Sequence, residues 1–184
     1  MLPRRIWVIA AAGLTTALLA GCAPLRVNSY VPRGAASPMT FHTYAWAADD
    51  QFVTGDPRLD SNRFFQERLQ MAVDEQLAAR GFTKAAPERA DVVLHYHANM
   101  TQKVDANGAD LRYGYCDGCK PYVYDAGTLL LDMIDGHTGK LVWRGWAEGS
   151  MDGVIENQSL MEERVDLAVT RILDRFPRRG GQSE

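Results

Sequence analysis

Thirteen residues in the middle of the chain, Val92 to Val104, alternate between apolar and polar almost without a break. Val92, Leu94, Tyr96, Ala98, Met100 and Val104 fall on one side of an extended strand. Val93, His95, His97, Asn99, Thr101 and Lys103 fall on the other. Such a strand buries one face and leaves the other wet. It needs a second layer, and the flanking sequence offers two helices. Phe65, Leu69, Ala72, Val73, Gln76 and Leu77 recur at helical spacing. Ser61 is the candidate cap of that helix, and Arg80-Gly81 closes it. Ser159-Leu160-Met161-Glu162 reads as a capping box before a second stripe of Val165, Ala168, Val169, Ile172 and Phe176, which Pro177 ends.

Further strands are expected at Thr40–Trp46, Thr128–Ile134 and Lys140–Gly149. The last two flank Asp135-Gly136-His137-Thr138-Gly139, a hairpin loop. In that hairpin Leu129, Leu131 and Met133 should share the core face with Leu141 and Trp143, while Asp132, Arg144 and Glu148 point away. The expected fold is α+β: a two-layer sandwich in βαβββα order, with about four strands and two helices on one face.

The first 22 residues bear on location. Arg4 and Arg5 precede fifteen uncharged residues, and the run closes on Leu19-Ala20-Gly21-Cys22. A basic start and a short apolar stretch make a secretory signal. The ending matches the bacterial lipobox, after which Cys22 becomes an acylated N-terminus. Loss of Arg4 and Arg5 takes the net charge from -3 to -5. The expected organisation is a signal peptide over 1–21, a lipidated start and flexible tether over 22–39, one domain over 40–177 and a tail over 178–184. Ala23 after the Cys matches the outer-membrane default, so the expected place is the periplasmic face of the outer membrane, with palmitate among the acyl chains. The 20 basic residues do not exceed the 23 acidic ones, which disfavours nucleic acid as a partner.

Four features in order carry a resemblance. They are the lipobox; Phe41-His42-Thr43-Tyr44-Ala45-Trp46; Leu77-Ala78-Ala79-Arg80-Gly81-Phe82 before Ala90-Asp91-Val92-Val93; and Gly127-Thr128-Leu129 leading to Lys140-Leu141-Val142-Trp143-Arg144-Gly145. From Thr40 to Phe176 the chain resembles bacterial lipoproteins with the domain of unknown function 4136. The resemblance implies a βαβββα envelope domain and supplies no catalytic residues.

Candidates for chemistry are few. Cys116 and Cys119 are the two thiols left once Cys22 is acylated. In an oxidising envelope they should form a local disulfide. A metal-ligand role and a redox-active role stay open. His95 and His97 share one strand face and could complete a zinc site with the two Cys, yet nothing in the sequence brings that loop over them, so no metal or other cofactor is expected. Asp132 across from Arg144 would make a cross-strand ion pair, read together with Glu148 as a solvated charge ladder. Tyr113, Tyr115, Tyr122 and Tyr124 crowd a long loop between Asp105 and Asp125, the kind of segment that contacts a partner. The expected function is a non-catalytic, lipid-anchored envelope protein that binds or scaffolds another envelope component, an envelope protein being one possible partner. The alternative is a thiol-disulfide module using Cys116 and Cys119.

Overall fold

A computed structural model describes residues 25–48, 56–105 and 122–177. Its strands are β1 (Arg26–Tyr30), β2 (Thr43–Trp46), β3 (Thr83–Lys84), β4 (Val92–Asp105), β5 (Tyr122–Asp135) and β6 (Leu141–Ser150). Its helices are α1 (Pro57–Asp60), α2 (Arg63–Ala79) and α3 (Gln158–Leu173).

The strands form one sheet in the order β1-β6-β5-β4-β2-β3. β2 is parallel to both β3 and β4, and the other pairs are antiparallel. The parallel β2–β3 pair needs a crossover, and α2 provides it. The fold is α+β as expected, but the expected sheet of four strands with two helices is wrong. Six strands and three helices are present among the described residues. β1 lies inside the segment read as a flexible tether, where Pro24, Pro32 and Gly34 surround only five strand residues. Every residue of β1 is in register with β6, from Arg26 opposite Glu148 to Tyr30 opposite Arg144. β3 has two residues and α1 four, too few for either to carry a period.

α2 starts one residue later than expected. Asn62 caps it, its side-chain oxygen accepting from the Phe65 N–H at 3.0 Å, because Ser61 is taken up in closing α1. Gly81 ends it with φ +82°, a conformation that lets the Phe82 N–H donate back to the Leu77 carbonyl. α3 is capped by Asn157, not Ser159; the Asn157 side chain accepts from Leu160 N–H and leaves Ser159 inside the first turn. The helices run parallel: Arg68 meets Asp166, Gln76 meets Thr170 and Arg80 meets Asp174, in ascending order on both.

Between helices and sheet lie Tyr96, Leu94, Leu131, Met133 and Trp143 with Leu69, Leu77, Ile172 and Leu173, all fully buried. One register detail departs from the expectation. Met133 faces Trp143 but Ile134 faces Leu141, so Val142 is an extra residue in β6. This bulge turns Val142 into the core and pairs Leu141 with Ile134 on the other side. Trp143 lies along its own strand over Gly145. A Cβ at Gly145 would come within 2.4 Å of the indole and 2.7 Å of Ile172. The Trp143-Arg144-Gly145 sequence thus places a large ring and the gap that receives it two residues apart, on one face.

Candidate functional site

The sheet face turned away from the helices is organised in cross-strand rows. Tyr30, Arg144, Asp132 and His95 form one row, on β1, β6, β5 and β4. Asn28, Trp146, Leu130 and His97 form the next, and Arg26, Glu148, Thr128 and Asn99 the third. Arg144 grips Asp132 in a two-pronged pair, Nε to Oδ1 and an Nη to Oδ2, both at 2.6 Å. Asp132 is 4 % exposed, so it is no part of a solvated ladder. Its hydrogen bonds hold the Arg144 guanidinium above its usual pKa. Glu148 is paired instead with Lys103.

His95 sits opposite Asp132, partly buried. Burial pushes its pKa down; the Asp132 charge opposes that and His97 adds to it. Both oxygens of the Asp132 carboxylate are thus engaged by one guanidinium. Among the described residues no group of three or more His, Cys, Asp or Glu is placed to hold a metal ion. The face presents half-buried Trp146 and Leu130, exposed Tyr30 and His97, and a locked ion pair.

Two carboxylates that the sequence reading passed over organise the other edge. Asp74 on α2 accepts from the Tyr44 hydroxyl at 2.8 Å and Trp46 Nε1 at 2.9 Å through one oxygen, and from Lys84 Nζ at 2.9 Å through the other. Burial, then the hydrogen bond and charge of Asp74, raise the Tyr44 hydroxyl well above its usual pKa. Asp91 accepts from the N–H groups of His42 and Thr43, both at 2.8 Å, and is held below the usual carboxylate range by them. Its own N–H donates to Thr43 Oγ1. Tyr44-Ala45-Trp46 and Ala90-Asp91 are therefore fixed by structural hydrogen bonding. The signal available beforehand was that buried Tyr and Trp need acceptors for their polar tips.

A third feature lies on the helix side. A small apolar pocket, its enclosed space about 50 Å³ and its mouth open to solvent, is lined by Leu25, Ala98, Gly127, Ala147, Val165 and Ala168 among others. Met151 lies against Gly127, its Cγ 2.5 Å from where a Cβ would stand.

Cys22, Cys116, Cys119, Tyr113 and Tyr115 lie outside the described residues. Tyr122 opens β5, so the segment read as a loop to Asp125 is partly strand. β4 likewise extends to Asp105, opposite Tyr122. Tyr124 is half-buried and faces Lys103.

The sequence pattern of a domain of unknown function, DUF4136, matches residues 27–178. The chain belongs to the DUF4136 family. Its matched span begins at Val27, inside β1, so the family's domain includes the first strand. No curated protein matches the sequence. Among solved structures, a PDZ domain protein from Parabacteroides distasonis is similar at TM-score 0.50 and 12 % identity, over 86 % of this chain and 36 % of that one. PelC from Paraburkholderia phytofirmans, solved as a dodecamer, is similar at 0.49 and 12 %, over 85 % and 100 %. A DUF4136 family protein from Bacteroides thetaiotaomicron is similar at 0.46 and 18 %, over 79 % and 94 %.

Proposed function

We propose that this DUF4136 protein is a lipid-anchored, non-catalytic domain of the bacterial envelope that binds another envelope protein at the periplasmic face of the outer membrane. The observation that carries the reading is Leu19-Ala20-Gly21-Cys22, a lipobox directly after a basic start and an apolar run. Ala23 supports the outer-membrane assignment. The sheet face bearing Tyr30, Trp146, Leu130 and His97 is the surface the partner uses. Its mix of aromatic, aliphatic and locked ionic groups suits a protein partner. Cys116 and Cys119 serve this reading as a local disulfide.

The test has two parts. Cys22→Ser should abolish uptake of labelled palmitate and shift the protein out of the membrane fraction. Continued labelling and outer-membrane partition would end the lipoprotein reading. Trp146→Ala with Leu130→Ser should then remove partner bands seen after in-cell crosslinking of the parent, while the thermal transition stays cooperative. Unchanged bands would move the partner site elsewhere.

A further inference from the structure

Leu25, the first described residue and the one before β1, is part of the wall of the apolar pocket. Cys22 stands three residues earlier. An extended chain covers at most about 3.6 Å per residue, so Cys22 is within roughly 11 Å of Leu25. With β1 already in the sheet from Arg26, no long tether separates the lipid-bearing end from the pocket.

We propose that this pocket seats the end of one aliphatic chain, the amide-linked acyl chain of the protein's own Cys22. The proposal rests on the lipidation reading above. Protein interiors are close-packed, so an apolar space between a sheet and two packed helices invites an apolar occupant. Small residues, Ala98, Gly127 and Ala147 on the sheet and Ala168 on α3, leave room for a narrow unbranched chain. Met151 against Gly127 is an adaptable wall, since an unbranched thioether re-packs readily. Two chains suffice for stable membrane anchoring, so the diacylglycerol on the Cys22 sulfur keeps the protein on the bilayer while the end of the third chain sits in the pocket. Hydrocarbon is equally shielded from water in the pocket and in the bilayer. What docking adds is orientation: it fixes the pocket end of the sheet toward the membrane.

The experiment uses the full chain expressed in bacteria fed a photoactivatable fatty acid. After irradiation and proteolysis, mass spectrometry reads which peptides are joined to the Cys22 peptide. The expected products link Cys22 to peptides containing Ala98, Met151 or Val165. A Cys22 peptide that carries the label but is joined only to phospholipid overturns the pocket proposal and leaves lipidation intact. A Cys22 peptide without label overturns lipidation and the pocket proposal with it. Ala168→Phe should fill the space and cut the pocket crosslinks at least tenfold at equal label on Cys22. Leu25→Asp, at the pocket's wall, should do the same if Ala168→Phe fails to give a cooperative thermal transition. Crosslinks that persist in a folded variant overturn the assignment. Pocket crosslinks that persist in Cys22→Ser identify a bilayer lipid as the occupant and overturn it too.

Discussion

On one face of β4, β5 and β6, Tyr96, Leu131 and Trp143 are sealed under two helices. One residue along the same strands, on the opposite face, stand His95, Asp132 and Arg144. The first set is held by packing. In the second, Asp132 and Arg144 hold each other by hydrogen bonds and charge. The core face should therefore respond to volume, and the other face to charge.

The largest effect should come from the core. Trp143→Ala removes a fully buried indole and should cost about 3–5 kcal/mol in denaturant melts. A loss below about 1 kcal/mol would contradict the burial assignment. Gly145→Ala tests the same contact from the other side. The added methyl meets the Trp143 ring and Ile172, both buried, and should cost about 1–3 kcal/mol by overpacking. The double variant Trp143→Ala with Gly145→Ala should show non-additivity, because the ring's share of the clash disappears and only the contact with Ile172 is left.

The ion pair should answer asymmetrically. Its Arg144 side chain is 40 % exposed, whereas that of Asp132 is 6 % exposed. Arg144→Ala strands a buried carboxylate and should cost about 2 kcal/mol, whereas Asp132→Ala frees an arginine that can reach water and should cost about 1 kcal/mol. Equal losses would show that the pair is effectively solvated. The smallest effect is pH dependence. His95 has a depressed folded-state pKa, so the unfolded chain takes up its proton first. Its contribution is complete above the ordinary histidine value and declines as pH falls below about 6.5. His95→Asn should flatten that part of the stability curve; an unchanged slope would remove His95 from the account.

Alternation made the core face legible: Val92 to Met100 and Leu129 to Met133 are buried as their spacing requires. The bulge at Val142 was hidden because one inserted residue changes no composition, only register. β1 was hidden because its pattern is short and prolines surround it; what makes it a strand is its pairing with β6, which no local window contains. At the candidate site, the Asp132–Arg144 pairing could be read from the hairpin, but its burial could not. Asp74 and Asp91 were missed because each gathers partners from distant elements, and a single carboxylate in a helix or before a strand has no signature of that duty.

The pairing of β1 also has a consequence for how the chain reaches its final shape. Val27 is opposite Ala147, 120 positions later. β1, made before the other described strands, is thus among the last of them to be stitched in, since among the described residues its one strand partner is β6, close to the C-terminal end. Contacts of such separation are slow to form. Until they do, β6 is an unpaired edge, open to the first strand of another copy. Refolding should therefore show a late phase in which β1 docks, and raising protein concentration during that phase should favour strand-exchanged dimers over monomers.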